Sequence, residues 1–209
     1  MRYTRSYRWN VVIATVVVAC LAGWPSAAAA QTVMGQASAV QATVLGITTG
    51  LADTGTLGGT TDAREASQIT GSVPSLLTGE ALHATTIGWP DQVASEASVG
   101  NLNLTIAGSG ISVDLVMARA QSGLGSAGTG LTNIAGLTIG GMPVFPTGSP
   151  NQALSLAGLT IVLNEQMPAA GGIIVNALHV RTLDGLTDVV IGSAKASITS
   201  FTESLPSLF

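Results

Sequence analysis

The sequence predicts an all-β domain, either an antiparallel β-sandwich or a Greek-key barrel-like fold, that follows an N-terminal signal peptide. Many short segments alternate apolar and polar residues, which is the pattern of half-buried strands. Turn residues separate these segments about every 8–12 positions, as in sandwiches and barrels. After residue 30 no stretch keeps a helical period for more than about two turns.

Residues 1–30 have the three parts of a secretory signal peptide. Met1–Arg8 is basic, Val11–Ala22 is apolar, and Ala27–Ala30 supplies small residues. We expect cleavage after Ala30. The apolar run is too short for a comfortable transmembrane span, which needs about 20 residues.

A second interpretation of the leader involves Cys20, the only cysteine of the chain. Val17–Cys20 resembles a lipoprotein cleavage motif, in which Cys20 is lipidated and becomes the new N-terminus. Against this interpretation, Val17 stands where Leu is favoured, and a good small-residue site follows. Both interpretations predict export to the extracellular space or the cell envelope, and only lipidation at Cys20 attaches the protein to a membrane. A domain released after Ala30 has no disulfide, thiol nucleophile or thiolate metal site.

The composition after the leader argues against nucleic acid as a partner. From residue 31 the chain has four basic residues against eleven acidic ones, hence a net charge of −7. Nucleic acids and anionic lipids are bound by clustered Lys and Arg, which this domain lacks. Charged residues are 9% of the chain, against about 25% in globular domains. Low charge with much Gly, Ser and Thr is common in secreted β-proteins and in self-associating surface proteins.

We expect one all-β domain over residues 31–200 and a loosely ordered C-terminal tail over 201–209. Its apolar centre is predicted to be the strand pair Ile173–Val180 and Asp188–Ile198. Asp184 and the glycine after it form the turn between them, because both residue types tolerate a positive φ.

The other segments divide into strands and loops. Strands are predicted at Gln36–Ile47, Glu80–Ile87, Gln92–Val99, Asn101–Ile106, Ile111–Ala120, Leu131–Ile139, Gln152–Leu156 and Leu159–Gln166. Residues 50–72 are expected to be loop-rich with one short strand, and residues 121–130 to be a flexible loop. Residues 142–150 contain three prolines and are expected to form an edge or a loop.

Six segments occur in a distinctive order: ASEASVGNLNL, ISVDLVMARA, AGLTIGGMPV, LTIVLNEQ, IIVNALHVRT and TDVVIGSAKASI. In this order they resemble the bacterial choice-of-anchor P family over most of the chain from Gly35 to Ile198. The most specific parts are Leu163–Gln166, Asn176–Val180 and Asp188–Ala194. The resemblance implies an exported domain with variable anchors and no known activity. No LPxTG-like motif, apolar span or basic tail precedes Phe209, so we expect release, or attachment through Cys20 or a partner.

Several polar residues are candidates for a site, although no catalytic set is recognisable and we expect no cofactor. The candidates are His179, Asn176, Glu165, Asn164, Asp188 and His83. Two histidines on neighbouring strands, together with Glu80 or Glu165, would have the residue types of a metal site, but nothing in the sequence brings His83 and His179 together. The alternative is that each histidine satisfies a local hydrogen bond, and we expect no metal.

Two further chemistries can be written for the same region. Ser193, His179 and Asp188 have the residue types of a nucleophilic triad, but the Gly-x-Ser-x-Gly motif and a following helix are absent. Asn164 and Glu165, with Asp184 or Asp188, offer the hard oxygen ligands that calcium takes. The alternative for these acids is turn capping.

We therefore expect a secreted or cell-surface, non-enzymatic β-domain that is structural, adhesive or self-associating. Lys is the usual deterrent to edge pairing, and Lys195 is the only lysine. The alternative is an extracellular module that binds a glycan, a small molecule or calcium through residues 50–72 and 121–130, and a hydrolase is a third. The expected partners are a second copy or an extracellular protein or glycan.

Overall fold

The computed structural model describes the backbone of residues 30–201 and the side chains of residues 31–200. The predicted signal peptide, Cys20, the predicted cleavage after Ala30 and the tail from residue 202 lie outside the described residues. Residues 31–201 form one compact unit. No part of it forms a helix with the length and apolar character that crossing a membrane requires.

Every regular element of the described chain is a strand, which confirms the all-β class. The strands are β1 (Ala30–Val44), β2 (Ile47–Asp53), β3 (Ala63–Val73), β4 (Leu77–Gly88), β5 (Gln92–Ile106), β6 (Ser109–Gly123), β7 (Thr129–Ala135), β8 (Thr138–Ile139), β9 (Met142–Pro143), β10 (Gln152–Leu156), β11 (Leu159–Ala169), β12 (Gly172–Thr182) and β13 (Thr187–Phe201). They form two sheets that pack face to face, so the sandwich alternative is confirmed.

The first sheet has six strands in the order β10-β11-β12-β13-β1-β2. The second sheet has the order β3-β4-β5-β6-β8-β9, and β7 also pairs with β6. Most chain neighbours within a sheet join through short turns. Leu45 and Gly46 both have a positive φ, as do Ala107 and Gly108, which is the geometry that suits the twist of a two-residue hairpin.

The core between the sheets is aliphatic. β13 lies against β5 and β6, and β12 lies against β6 and β7. Leu102, Val116, Leu178 and Ile191 are among its fully buried side chains, and burying each such side chain stabilises the fold by about 1.5–3 kcal/mol. The predicted central pair is present as β12 and β13, each longer than the sequence pattern indicated.

The long strands change, part-way along, which of their residues face the core. In β5 the buried residues are odd-numbered up to Val99 and even-numbered from Leu102. The two alternating segments predicted from sequence are therefore one strand with a shift of one residue between them. Such a shift needs an irregular residue, and Asn101, at a φ of 43°, provides it.

The same change of face runs across three neighbouring strands of the six-stranded sheet. In β12 the buried apolar residues are odd-numbered from Ile173 to Ala177 and even-numbered from Leu178 to Val180, so the core-facing side changes between Ala177 and Leu178. Asn164 in β11 and Gly192 in β13 have φ values of 53° and 64°, and Asn and Gly tolerate that region best.

Several predicted boundaries were wrong, among them the following two. Residues 50–72 contain the end of β2 and most of β3, so the expected loop is confined to residues 54–62. The sequence of β3 is polar and did not indicate a strand, because most of its side chains are exposed and no apolar alternation results. The predicted strand Leu131–Ile139 is interrupted at Gly136, which has a φ of 67° and stands where a Cβ atom would overlap Asp114.

Candidate functional site

His179 lies in the middle of β12 with both ring nitrogens engaged by carboxylates. Nδ1 is 2.9 Å from Glu165 Oε2, and Nε2 is 2.8 Å from Asp188 Oδ1. The side chains of His179 and Glu165 are only 12% and 17% exposed. Because Leu178 and Val180 point into the core, His179 points to the outer face of the six-stranded sheet.

Further polar side chains extend this contact in both directions. Asn176 Nδ2 donates to Glu165 Oε2 at 2.6 Å, and Ser193 Oγ donates to Asn176 Oδ1 at 2.8 Å. At the other end Arg181 Nε donates to Asp188 Oδ2 at 2.8 Å. We call these six residues the His179 network: Glu165, Asn176, His179, Arg181, Asp188 and Ser193.

The strand register and the change of face together assemble the His179 network. Asn176 pairs with Glu165 of β11 and with Ser193 of β13, and Arg181 pairs with Asp188. With unbroken alternation, Glu165 would point into the core, as Leu163 does. The irregular residues Asn164 and Gly192 turn Glu165 and Ser193 to the outer face of the sheet, on which His179 also lies.

The two carboxylates favour the charged form of His179. The hydrogen bond from Glu165 raises the pKa of His179, burial opposes this rise, and Asp188 adds to it. The same bond to His179 lowers the pKa of Glu165, although burial opposes it, and Asn176 lowers it further. A charged imidazole donates at both nitrogens, so two carboxylates, one imidazolium and one guanidinium balance one another.

This geometry does not form the triad written from the sequence. The hydroxyl of Ser193 donates to Asn176, while both nitrogens of His179 face carboxylates. Both ring nitrogens are occupied by these carboxylates, so neither is directed at the hydroxyl of Ser193. Within residues 31–200, no group of three His, Cys, Asp or Glu side chains is placed to hold a metal ion.

The structure brings together four of the six candidates and leaves two apart. Asn164 is buried, and its amide donates to Gly148 O at 2.9 Å and accepts from Gln166, so it fastens the loop before β10. His83 lies on β4, in the other sheet, and its Nδ1 is 3.1 Å from Ser67 Oγ. The two histidines therefore lie in different sheets and do not form a shared site.

Asp184 has the role of a turn-capping residue. Its Oδ1 accepts from Thr182 Oγ1 at 2.6 Å and from Leu186 N at 2.9 Å. These bonds lower its pKa. Asp184 is thus part of the β12–β13 turn. It does not join Glu165 and Asp188, which lie on either side of His179. The sequence did not indicate the part of Asn176 as a link between Glu165 and Ser193, which depends on the irregular strand register.

A second candidate site is the outer edge of β3. β3 pairs with β4 from Ala63 opposite Ile87 to Val73 opposite Leu77, with Ile69 alone left out of the register. In the part of the chain that the structure describes, no strand pairs with its other side. Beside it a groove of about 600 Å³ is lined by Ser67–Thr70 of β3 and Glu80–His83 of β4.

Comparison of the chain with protein-family models, curated proteins and solved structures finds no match. The resemblance to the choice-of-anchor P family stays a prediction from the sequence. Function is therefore inferred from the chemistry and geometry of the chain itself.

Proposed function

We propose that the chain is an exported, non-enzymatic β-domain at the cell surface or outside the cell, and that it is structural or adhesive through association with further copies of itself. The signal-peptide pattern supports export, and the low charge supports association. The resemblance to an exported bacterial family points the same way.

The observation that carries the proposal is the unguarded edge of β3. Sheet edges are usually protected by Lys, Pro, a bulge or a covering segment. β3 contains neither Lys nor Pro, and its register with β4 keeps one offset from Ala63 to Val73, although Ile69 itself has no paired residue. Its charges, Arg64 and Glu65, lie near its start, where Arg64 pairs with Asp62 at 2.9 Å and Glu65 accepts from Ser67 at 2.9 Å.

From Ala66 to Val73 the edge is uncharged. Ile69, at its middle, is 88% exposed. An uncharged open edge with an exposed β-branched residue is a template for another strand. The His179 network supports the non-enzymatic part of the proposal, because its polar groups bind one another.

Self-association is tested by sedimentation velocity on the purified protein over an about hundredfold range of concentration, since mass action must favour the assembled form at the upper end. We expect the mean mass to rise with concentration. A monomer at every concentration would overturn the proposal.

Export is tested by intact mass on protein recovered separately from the culture supernatant and the membrane fraction. We expect a supernatant species that begins at Gln31. A membrane species that begins at a lipidated Cys20 would replace release with tethering. Full-length protein retained inside the cell would contradict export.

Ligand binding is the second candidate, and a polar groove next to β3 favours it. The groove has a volume of about 460 Å³, and its lining includes Thr70, Ser72, Thr78 and Asn103. In its wall Asn101 Nδ2 donates to Glu80 Oε2 at 2.8 Å. Hydroxyl, amide and carboxylate groups suit a glycan better than an apolar ligand. A thermal-shift screen of soluble glycans tests this candidate, and no shift with any of them would count against it.

A further inference from the structure

We infer that two copies join through β3 itself, antiparallel, about a two-fold axis at Ile69, so that their seven-stranded sheets become one continuous sheet. This inference rests on the proposed self-association and names the surface and the symmetry of the contact. The partner is a second copy of this chain.

The backbone of β3 provides the first argument. Its outer N–H and C=O groups require an extended partner, and an antiparallel strand satisfies such groups on both sides equally. The backbone groups of β3 on a second copy can therefore pair with those of the first. A two-fold axis brings the same surface of both copies together. With the axis at Ile69, the eleven residues of β3 overlap over nine positions, from Glu65 opposite Val73 to Val73 opposite Glu65.

The charges of β3 provide the second argument. Each domain is acidic overall, so most faces of two copies repel one another. In this pairing Glu65 lies opposite Val73, and Arg64 lies just beyond the overlap. The positions between them are uncharged on both strands. No like charges are placed opposite each other, which would destabilise a strand pair.

The exposed side chains provide the third argument. Ile69 lies between the register pairs Gln68–Leu82 and Thr70–Glu80. It is therefore beside Ala81, whose side chain is also exposed. The two-fold axis brings the Ile69 side chains of both copies together and covers the mouth of the groove beside them. The most exposed apolar residue of the edge thus becomes the centre of the contact.

Among the other sheet edges, which include β2, β9 and β10, the short β10 is a poorer partner for β3. β10 spans five residues, Gln152–Leu156, and Pro150 stands just before it. Pairing β3 with β10 would form about half as many backbone hydrogen bonds as pairing β3 with itself. That contact would also be head-to-tail and would build filaments. The geometry of β3 therefore predicts a closed dimer.

The test is a single-cysteine cross-link in the full chain. Cys20 is first changed to Ser, which leaves no other cysteine. Ile69→Cys is then compared with Leu183→Cys, which lies in the β12–β13 turn and is 70% exposed. Cross-strand neighbours are close enough for a disulfide. We expect Ile69→Cys to form a covalent dimer at least about tenfold faster than the control under mild oxidation.

Ile69→Lys gives a second measurement that does not depend on a disulfide. We expect this variant to remain folded by circular dichroism and to stay monomeric in sedimentation velocity. Leu183→Lys is the matched control and should associate as the parent chain does.

The failures of the two proposals are distinguishable. If the parent chain associates but Ile69→Cys cross-links no faster than Leu183→Cys, or Ile69→Lys still associates, the β3 contact is wrong and self-association stands. Species heavier than a dimer would overturn the closed symmetry. If the parent chain never associates, both proposals fail.

Discussion

The centre of the six-stranded sheet and the edge of the seven-stranded sheet treat their polar groups in opposite ways. In the His179 network each carboxylate, ring nitrogen and amide meets a partner from a neighbouring strand. Throughout the described side chains, no fully buried nitrogen or oxygen lacks a hydrogen-bond partner. Along β3, in contrast, one whole side of the backbone is open. Polar groups at the sheet centre therefore serve folding, whereas those at the edge are free for association.

The largest loss of stability is expected from a substitution at Gly192, where the core-facing side of β13 changes. Ala at a positive φ costs about 1–2 kcal/mol, and a Cβ atom here would lie 3.3 Å from Ala177 Cβ and from Val116 Cγ1. We expect Gly192→Ala to lower the free energy of unfolding by about 3 kcal/mol, because strain and overpacking add. Chemical denaturation measures this loss.

Gly108→Ala is the matched control for that substitution. Gly108 has a φ of 76°, and nothing lies within 4 Å of its Cβ position. We expect a loss of about 1 kcal/mol, from the backbone alone. Equal losses at the two glycines would show that the change of face in β13 adds no packing constraint.

The next largest effect is expected from Glu165→Ala. The substitution removes the acceptor of both His179 and Asn176 and leaves two partly buried donors unpaired. We expect a loss of about 2–3 kcal/mol in the free energy of unfolding. Glu96→Ala is the control, because Glu96 pairs with the half-exposed Arg119 and should cost at most about 1 kcal/mol. Similar losses would mean that the His179 network contributes no more than a surface ion pair.

The pH dependence of stability gives a smaller effect. The pKa of His179 is raised from 6.5, so its contribution is full below pH 6.5 and is lost as the pH rises through the folded-state pKa. The pKa of Glu165 is lowered from 4.5, so its contribution is full above pH 4.5 and is lost as the pH falls through the folded-state pKa. The stability difference between the parent chain and His179→Gln should be largest between those two values. A difference that does not vary with pH would contradict the charged form of His179.

The smallest effect on folding is expected at the edge. Ile69→Lys removes no buried contact, so the free energy of unfolding of the monomer should change by less than about 0.5 kcal/mol. The measurement is denaturation at low protein concentration, where association does not contribute. A loss of more than about 2 kcal/mol would show that Ile69 is part of the core.

Sequence patterns were sufficient for the regular parts of the fold. Alternation identified both halves of β5, and the turn at Asp184 placed β12 beside β13. These features depend on near neighbours along the chain, so a local pattern contains them. The choice of Glu165, Asn176, His179 and Asp188 as polar candidates also came from the sequences of the three neighbouring strands that carry them, β11, β12 and β13.

The irregular parts could not be read in the same way. A period-two pattern does not say that two segments are one strand with a change of face, because Asn101 and Gly192 resemble ordinary turn residues. The length of β3 was missed for a related reason. An edge strand with most of its side chains exposed has no apolar period, and its strand character comes from pairing with β4.

The most direct test of the account is hydrogen–deuterium exchange at low and high protein concentration, with β3 compared to β12. Amides of β12 are paired on both sides and should be protected equally at both concentrations. We predict that the amides of β3 around Ile69 that point away from β4 exchange fast in dilute protein and become protected in concentrated protein. Fast exchange of β3 at both concentrations, with β12 protected throughout, would contradict association through this edge.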